Sequence, residues 1–492
     1  MKTIYSILEN SAALFPDKIA LFYKGKKYTY SEIKTKADVI KSFLIQNTKN
    51  QDIICLLMEN CDYWLFSYFG ILGAGCICNP IDLKISKEKI TKQIDFLNPK
   101  YFIVSKRFYD KAVRLGIDKM CNVLIIEEIL SKKIDPASRS LSNAKYSTIM
   151  FTSGTSGDQK AIKIENDIVY NSTNNIIEYL KIRYDDIYYA ILPFSHSFGL
   201  GNVHVTFKQG GSVIISDNSI NLKKILYEIS RYKATFFCAT PFTLKLIVDN
   251  FMDGFIMAGE SLRIICTNTG PMDVDVTKKI INSLKKTLFF TYYGLTEASR
   301  STFHCFNLYP DKLESVGKPS PNVQIDIIDD NGKEVLNGDI GEICISGNNV
   351  VSGYYKNPEL NKKVFRNKRI HTGDIGKFDD DNFLYVLGRI DDIVTVAGER
   401  VSLSEIDKVI QELDFIDDVG CIDVKIGSKT EIHANIVLKK GIKKDTAKEV
   451  IGYCKKHLEL FKVPKKIIFI DSIPRTDSGK LKRNKFRKNT AK

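Results

Sequence analysis

The chain has 492 residues, more than one hydrophobic core usually organises, so at least two domains are expected. Apolar residues make up 44% and charged residues 26%, a balance typical of soluble globular proteins rather than of disordered or fibrous chains. The net charge of +14 favours anionic partners such as nucleotides. The sequence has no basic stripe with interleaved aromatic residues, which argues against a nucleic-acid surface.

The cysteines, the first residues and one uncharged segment indicate the cellular compartment of the protein and whether it spans a membrane. The first residues lack the apolar core of a signal peptide, and the eleven cysteines form no paired disulfide or metal framework, which predicts a reducing, cytoplasmic compartment. Residues 63–81 carry no charge over a length close to that of a membrane span, yet Gly73, Gly75 and Pro80 interrupt them. We therefore expect a buried helix, a glycine turn and a short strand there, and no integral membrane segment.

Short apolar runs alternate with amphipathic patterns through the N-terminal part of the chain. The runs predict buried strands at Ile53–Met58, Tyr101–Ser105, Val123–Ile126, Val213–Ser216 and Thr235–Cys238. The amphipathic patterns predict helices at Lys223–Tyr232 and Val274–Leu284. This alternation is typical of an α/β fold in which helices cover parallel sheets.

A loop rich in hydroxyl groups and glycine follows the predicted strand Tyr146–Phe151. Hydroxyls, closely approaching backbone N–H groups and a lysine are the groups that bind the oxygens of a phosphate chain. The loop is not a Walker A motif, because Asp158 and Gln159 separate its last glycine from the lysine. By itself the composition supports a phosphate-binding loop and an ordinary surface turn about equally. The residues concerned are Thr152, Ser153, Gly154, Thr155, Ser156, Gly157 and Lys160.

The pattern changes after about residue 311, where polar–apolar alternation and frequent glycines predict a β-rich lobe. Beyond it, Ser402–Glu405 has the sequence of a capping box at the start of a helix. Strand patterns at Glu431–Leu438 and Lys466–Ile470 flank a helix near Asp445–Glu459.

We therefore predict two domains with a boundary in the charged turn Gly388–Asp392. Residues 1–390 form a large domain of layered α/β subdomains and the β-rich lobe. Residues 391–492 form a small α+β domain.

Eight short motifs follow one another along the chain. After the loop at 152–160 come Leu192–Gly199 (LPFSHSFG), Thr269–Pro271 (TGP), Tyr293–Glu297 (YGLTE), Thr372–Asp374 (TGD), Gly388–Asp392 (GRIDD), Gly398–Arg400 (GER) and Pro474–Lys480 (PRTDSGK). In this order they resemble the adenylate-forming superfamily, which includes acyl-CoA synthetases, peptide-synthetase adenylation domains and firefly-type luciferases. The resemblance covers nearly the whole chain, and the ordered set is specific although each motif alone is weak.

The resemblance implies an ATP-dependent acid–thiol ligase. Such an enzyme activates a carboxylic acid as acyl-AMP, releases pyrophosphate, and transfers the acyl group to the pantetheine thiol of CoA. A carboxylate that attacks a phosphate approaches a strongly anionic group, so the site needs cations, hydrogen-bond donors and Mg²⁺. The nucleotide contacts implied are Thr152–Gly157, Lys160, Thr296 and Arg400 for the phosphates, Thr269, Gly270, Pro271, Tyr293 and Gly294 for adenine, and Asp374 and Arg389 for the ribose, with Glu297 as the Mg²⁺ ligand.

The last motifs resemble the moving part of these enzymes. Lys480 is the predicted catalytic residue, because it would bridge the incoming carboxylate and the α-phosphate in the transition state. Asp391 resembles the hinge about which the small, mobile domain rotates. Gly398 would line the thiol channel, where the lack of a side chain lets a pantetheine arm pass.

His196, Phe198 and Asn268 are the predicted contacts of the acid. Relatives that activate amino acids carry an aspartate directly after the position of His196, but Ser197 stands here and residues 187–216 contain no acidic residue. A buried ammonium without a counter-ion is costly, so a fatty or aryl acid is favoured over an amino acid.

Two alternatives stay open. One is a stand-alone adenylation enzyme that loads the phosphopantetheine of an acidic carrier protein. The other is a catalytically silent relative, which the presence of Lys480, Glu297 and Asp374 disfavours.

Overall fold

The computed structural model of the chain describes residues 2–139, 144–153, 159–216, 221–396, 399–426, 429–439, 441–442, 446–475, 481 and 483. The chain divides into two compact units. The large unit comprises Met1–Thr152, Lys160–Ile325 and Ile345–Ile370, and the small unit comprises Ser153–Gln159, Asp326–Cys344 and His371–Lys492. The predicted division into residues 1–390 and 391–492 concerns domains that move, and it stays a prediction.

The chain alternates helices and strands, which confirms the mixed α/β fold class. The helices are α1 (Tyr5–Leu14), α2 (Tyr30–Asn47), α3 (Asp62–Gly73), α4 (Lys87–Leu97), α5 (Lys106–Leu115), α6 (Ile126–Ser131), α7 (Asn166–Leu180), α8 (Ser197–Lys208), α9 (Leu222–Tyr232), α10 (Pro241–Asn250), α11 (Met252–Gly259), α12 (Val274–Ser283), α13 (Pro358–Val364), α14 (Leu403–Gln411) and α15 (Ala447–His457).

The strands in the first part of the chain are β1 (Ile19–Tyr23), β2 (Lys26–Thr29), β3 (Ile53–Leu57), β4 (Ile77–Pro80), β5 (Tyr101–Val104), β6 (Val123–Ile125), β7 (Tyr146–Ser153), β8 (Gln159–Glu165), β9 (Ile187–Ala190), β10 (Ser212–Ile215), β11 (Phe236–Cys238), β12 (Ile264–Thr267) and β13 (Leu288–Thr291). They continue with β14 (Thr302–Cys305), β15 (Lys318–Pro319), β16 (Val323–Ile328), β17 (Gly341–Gly347), β18 (Phe365–Arg366), β19 (Arg369–Phe378), β20 (Leu384–Arg389), β21 (Ile393–Val396), β22 (Glu399–Ser402), β23 (Ile416–Ile426), β24 (Lys429–Leu438) and β25 (Lys466–Phe469). The strands predicted in the N-terminal part are confirmed as β3, β5, β6, β10 and β11, and the predicted helices as α9 and α12.

A six-stranded sheet has the order β6-β5-β3-β4-β7-β8. The pairings β3–β4, β3–β5, β5–β6 and β4–β7 are parallel, as predicted. Every residue of β3 is buried, which is why its sequence is a continuous apolar run rather than an alternating one.

A nine-stranded sheet has the order β15-β14-β13-β12-β11-β9-β10-β1-β2. Its central strands are parallel, whereas the pairs at both edges are antiparallel. The hairpin of β1 and β2 was not predicted, and it joins this sheet through Leu21 opposite Val213. That pairing joins segments far apart in sequence, so no local pattern announces it.

Residues 63–81 form α3, a turn and β4, as predicted. Every residue of α3 except Tyr63 is buried, and Gly75 makes the turn with a φ of 74° in the left-handed region. Within the described part of the chain, no helix is both long enough and apolar enough to cross a membrane.

The small unit contains the three-stranded sheet β23-β24-β25 and the hairpin β21–β22. The side chain of Ser402 caps α14 by accepting a hydrogen bond from the Glu405 N–H (3.4 Å). Among the described residues, the side chain of Glu405 accepts a hydrogen bond from Lys462 Nζ (2.8 Å) and does not make the reciprocal bond to the Ser402 N–H, so the predicted capping box is only half formed. A further five-stranded sheet has the order β16-β17-β19-β18, with β20 paired to β19.

Gly70 permits the close packing of α3 on α2 and gives a stability test. A Cβ at Gly70 would lie 2.7 Å from Ile40 Cβ and 2.9 Å from the Ala37 carbonyl oxygen. We expect Gly70→Ala to destabilise the fold by about 1–3 kcal/mol through overpacking, seen as a lower thermal unfolding midpoint. In the control Gly254→Ala, on α11, the new Cβ meets its nearest atom at 3.4 Å, so the midpoint should stay the same or rise. Equal effects of both substitutions would contradict this packing account.

Candidate active site

Three of the sequence motifs follow neighbouring parallel strands of the nine-stranded sheet. Leu192–Gly199 comes after β9, Thr269–Pro271 after β12, and Tyr293–Glu297 after β13. Strands β9, β11, β12 and β13 are adjacent and parallel. Their carboxyl ends therefore meet at one edge of the sheet, the usual ligand-binding edge of α/β proteins.

The hydroxyl-rich loop follows a strand, as predicted. β7 ends at Ser153 and β8 begins at Gln159. Gly154, Thr155, Ser156 and Gly157 lie outside the described residues, as does the side chain of Ser153. At the two ends of the loop, Thr152 and Lys160 are half-buried.

Glu297, the predicted Mg²⁺ ligand, is held by a tyrosine. The Tyr354 hydroxyl donates to Glu297 Oε1 (2.8 Å), and the Glu297 carbonyl accepts from the Val351 N–H (3.0 Å). Lys160 Nζ lies 5.5 Å from the centroid of the Tyr354 ring. The structure thus brings two predicted residues, Lys160 and Glu297, to the same tyrosine. The described side-chain partner of the Glu297 carboxylate is a hydroxyl rather than a cation, and carboxylate oxygens are the ligands that Mg²⁺ prefers.

The predicted adenine-binding segments lie at the ends of adjacent strands. The Asn268 side-chain oxygen accepts a hydrogen bond from the Thr269 N–H, and Thr269 has a φ of 89°, so the segment turns sharply after β12. Thr269, Gly270 and Pro271 are exposed. Tyr293, after β13, is half-buried, and its N–H donates to Thr302 Oγ1 (3.0 Å).

Asp374 and Arg389, the predicted ribose contacts, are paired with each other. They face one another in the register of β19 and β20, and Arg389 Nη1 donates to Asp374 Oδ1 (2.8 Å). The Asp374 side chain is buried, and its backbone N–H donates to Thr372 Oγ1 (3.0 Å).

A glutamate that the sequence did not single out shapes this turn. Glu342 Oε1 accepts from the Gly373 N–H (3.1 Å), and Glu342 Oε2 lies 2.8 Å from His371 Nδ1. Gly373 has a φ of 69°, so both Glu342 and the glycine conformation place Asp374. No motif marks Glu342, because its role depends on the pairing of distant strands.

His196 and Phe198, two of the predicted acid contacts, have different surroundings. His196 is half-exposed, and its Nε2 lies 2.9 Å from Asp82 Oδ2. Phe198 is buried against the edge of the Tyr292 ring, with the ring centroids 5.5 Å apart. The hydrogen bond with His196 lowers the pKa of Asp82 below its usual value. Residues 187–216 contain no acidic residue, yet the fold supplies a carboxylate to His196 from a distant segment.

A pocket lies beside Thr296, the predicted α-phosphate contact. Residues of β7, β8, α7 and α8 line it, together with residues of the segment that follows Thr296. Its walls include Ile164, Ile168, Ile176, Leu200 and Arg300. Arg300 was not a predicted site residue.

In the small unit, the predicted catalytic residue Lys480 lies outside the described residues, whereas Arg475, Leu481 and Arg483 are described. Arg475 and Leu481 form an antiparallel bridge on either side of residues 476–480. Arg483 is buried, with its Nε 2.8 Å from Asp392 Oδ1 and its Nη2 2.6 Å from Asp407 Oδ2. These two ion pairs hold Arg483 in place, three residues beyond Lys480.

The remaining predictions concern residues whose key atoms are not described. Asp391 lies in the short 3₁₀ turn Ile390–Asp392, but its side chain and that of Arg400 lie outside the described part. Gly398 also lies outside it. In the hairpin β21–β22, Val396 pairs with Glu399.

Comparisons with known proteins cover nearly the whole chain. The profile of the AMP-binding enzyme family matches residues 8–355, and that of the AMP-binding enzyme C-terminal domain matches residues 405–480. Oxalate–CoA ligase of Saccharomyces cerevisiae is 31% identical, over 99% of this chain and 96% of that protein. The 2-succinylbenzoate–CoA ligase of Bacillus licheniformis is 28% identical, over 97% of this chain and 98% of that protein.

Solved structures share the fold. O-succinylbenzoate coenzyme A synthetase of Bacillus subtilis in complex with AMP has a TM-score of 0.89 at 24% identity, over 98% of both chains. ATP-bound MatB of Rhodopseudomonas palustris has a TM-score of 0.87 at 24% identity, over 99% of this chain and 98% of that chain.

Proposed function

The chain belongs to the AMP-binding enzyme family, and on this premise we propose that it is an ATP-dependent ligase that joins a carboxylic acid to CoA. The observation that carries the proposal is the grouping of Lys160 and Glu297 around Tyr354, beside the edge of the sheet where three motifs meet. Relatives that match the chain from end to end are named CoA ligases, which supports CoA as the acceptor.

The reaction has two steps. In the first, a carboxylate oxygen attacks the α-phosphorus of ATP, the bond to the β-phosphate breaks, and pyrophosphate leaves. In the second, the CoA thiol loses its proton, its sulfur attacks the acyl carbon, and AMP leaves. Both steps gather negative charge on phosphate oxygens, which cations and donors at fixed positions stabilise.

We assign roles to the chain's own residues on this basis. Thr296 and the loop ending at Lys160 bind the phosphates, and Glu297 would hold Mg²⁺, which supplies further positive charge when bound. Asp374 binds the ribose hydroxyls with Arg389. Lys480 contacts the carboxylate of the acid in the first step. Asp391 is the hinge about which the small domain rotates, which moves Lys480 out of the site for the second step.

The acid is an organic acid without an α-amino group. No aspartate follows His196, and the nearby Asp82 is engaged by His196 itself. The names of the relatives do not narrow the acid further, because they include oxalate, 2-succinylbenzoate and long-chain fatty acids. We propose a cytoplasmic location, which the eleven free cysteines support.

Release of pyrophosphate tests the proposed function. Purified protein with ATP and Mg²⁺ should release pyrophosphate only when a suitable acid is added, across a panel of fatty, aryl, dicarboxylic and amino acids. Thioester should then form with CoA, and a phosphopantetheinylated carrier protein added separately serves as the competing acceptor. No acid-dependent release with any member of the panel would contradict the ligase activity, and release with amino acids alone would contradict the choice of acid.

The two half-reactions separate the proposed role of Lys480. We expect Lys480→Ala to lower acid-dependent pyrophosphate release by roughly 100-fold or more, because a transition-state charge partner is lost. Thioester formation from supplied acyl-adenylate and CoA should stay near the wild-type rate. Lys455→Ala, an exposed lysine on α15, is the matched control and should leave both steps unchanged. Equal loss of both steps in Lys480→Ala would refute the assigned role.

A further inference from the structure

Arg300 is a buried cation without a carboxylate partner. It is 4% exposed. Its Nη1 donates to the Ser197 carbonyl (3.1 Å) and Ser299 Oγ (2.8 Å), and its Nη2 donates to the Phe198 carbonyl (3.3 Å). These three bonds go to neutral acceptors, and a guanidinium has five N–H groups. Two N–H groups are therefore left without a hydrogen-bond acceptor, and the positive charge has no carboxylate partner, among the described residues.

Arg483 is the other buried arginine among the described residues, and its partners differ from those of Arg300. Arg483 is 5% exposed and has two carboxylate partners, Asp392 and Asp407. Burial of an unpaired charge is costly, because the lost hydration is not replaced. The contrast between Arg300 and Arg483 indicates that the counter-ion of Arg300 comes from outside the protein.

The surroundings of Arg300 are shaped to accept its guanidinium. A Cβ at Gly201 would lie 2.6 Å from Arg300 Nη2, and a Cβ at Gly294 would lie 2.5 Å from the Arg300 backbone N. Arg300 itself has a φ of 53°, in the left-handed region that few non-glycine residues adopt. The guanidinium carbon lies 5.1 Å from the centroid of the Tyr292 ring. Such strained placements persist where the structure around them holds them, and they cluster at functional sites.

Arg300 lines the pocket beside Thr296, and the walls of this pocket differ in polarity. One wall is apolar and includes Ile164, Ile168 and Ile176. The other side carries Arg300, Ser172 and Asn349. Ser172 Oγ is buried without a hydrogen-bond partner in the described part of the protein, so its hydroxyl can donate to an occupant. The polarity of the two walls matches an occupant with a hydrocarbon body and an anionic end.

The lining residues that the structure describes include no other charge. None of them is an aspartate, glutamate or lysine. His204 also lines the pocket, but burial lowers its pKa to about 3, so it is neutral near pH 7. Arg300 therefore sets the sign of the pocket, and it would repel an ammonium group.

We propose that the acid substrate carries a second anionic group, as a dicarboxylic acid does, and that Arg300 binds this second group while the reacting carboxylate lies toward Thr296. The inference rests on the proposed function and narrows its substrate class. Arg300 is almost completely buried, whereas Thr296 is partly exposed, so the reacting end lies where a nucleotide and a thiol can reach it. The reacting carboxylate is already assigned a cationic partner, because Lys480 is proposed to contact it.

Matched pairs of acids test the proposal on the unmodified enzyme. Each pair compares a dicarboxylic acid with the monocarboxylic acid in which a methyl group replaces the second carboxylate, such as adipate with hexanoate, or isophthalate with 3-methylbenzoate. We expect kcat/KM for pyrophosphate release to favour the best dicarboxylic acid by roughly 100-fold or more over its partner, because the monoacid leaves the buried donors unpaired. Equal or higher activity with the monoacids would overturn the inference and leave the proposed function standing. No release with either series would contradict both.

Substitutions then locate the recognition at Arg300. We expect Arg300→Met to remove the preference for dicarboxylic acids, mainly through KM, while activity with the monoacids falls less than about 3-fold, since only the second group loses its partner. Arg300→Lys keeps the charge and should retain part of the preference. Arg231→Met, an exposed arginine on α9, is the control for loss of an arginine and should keep the preference.

The same variants exclude other roles of Arg300. Equal loss with dicarboxylic and monocarboxylic acids in Arg300→Met, at an unchanged thermal unfolding midpoint, would show that Arg300 serves the reacting carboxylate or the fold, and would overturn the inference. If Arg300→Met unfolds, the preference of the wild-type enzyme and of Arg300→Lys decides the matter. A reduced preference in Arg300→Lys supports binding at Arg300, because lysine keeps the charge but not the planar fork of donors, whereas an unchanged preference in the substituted enzymes would overturn the inference.

Discussion

The acid and ATP are both anions, and their mutual repulsion is the constraint on which the arrangement of charged side chains depends. A protein that brings them together has to present positive charge and donors that its own carboxylates do not neutralise. Arg300 meets this requirement, since all its hydrogen-bond partners are neutral. Glu297 shows the complementary case, because a tyrosine hydroxyl rather than a cation holds it and leaves its charge available to a metal. Both arrangements sacrifice stability at the site, where paired charges would be more favourable.

Elsewhere in the chain, ion pairs between its own side chains hold backbone segments in position. Arg483 joins two aspartates in the small unit and fixes the chain three residues beyond Lys480. Asp374 and Arg389 are paired across β19 and β20. Glu342, on β17, accepts a hydrogen bond from the backbone N–H of Gly373, the residue before Asp374. Arg483 is paired three residues away from the proposed catalytic residue Lys480, whereas the paired Asp374 and Arg389 are themselves the proposed ribose contacts.

Sequence patterns could predict what depends on neighbouring residues. Buried strands such as β3 are continuous apolar runs, and the uncharged segment 63–81 shows its turn through Gly75, so both were predicted correctly. The order of the motifs was enough to identify the family, which the end-to-end match confirms. The fold class follows from the alternation of strands and helices.

Contacts between distant segments could not be predicted in this way. Tyr354 meets Glu297, Asp82 meets His196, and Glu342 meets Gly373 only because separate strands come together. Arg300 was overlooked for another reason, since an arginine in a sequence is usually an exposed one. Its meaning became visible only when the structure showed it to be buried without an acid.

The most direct test of the account follows the oxygen atoms of the acid. A carboxylic acid substrate labelled with a heavy oxygen isotope in its carboxylate is converted to thioester with ATP and CoA, and the products are analysed by mass spectrometry. Attack of the carboxylate on the α-phosphorus predicts that AMP acquires one labelled oxygen while pyrophosphate stays unlabelled. Unlabelled AMP, or label in inorganic phosphate together with ADP, would contradict the proposal that this chain activates its acid as an acyl-adenylate.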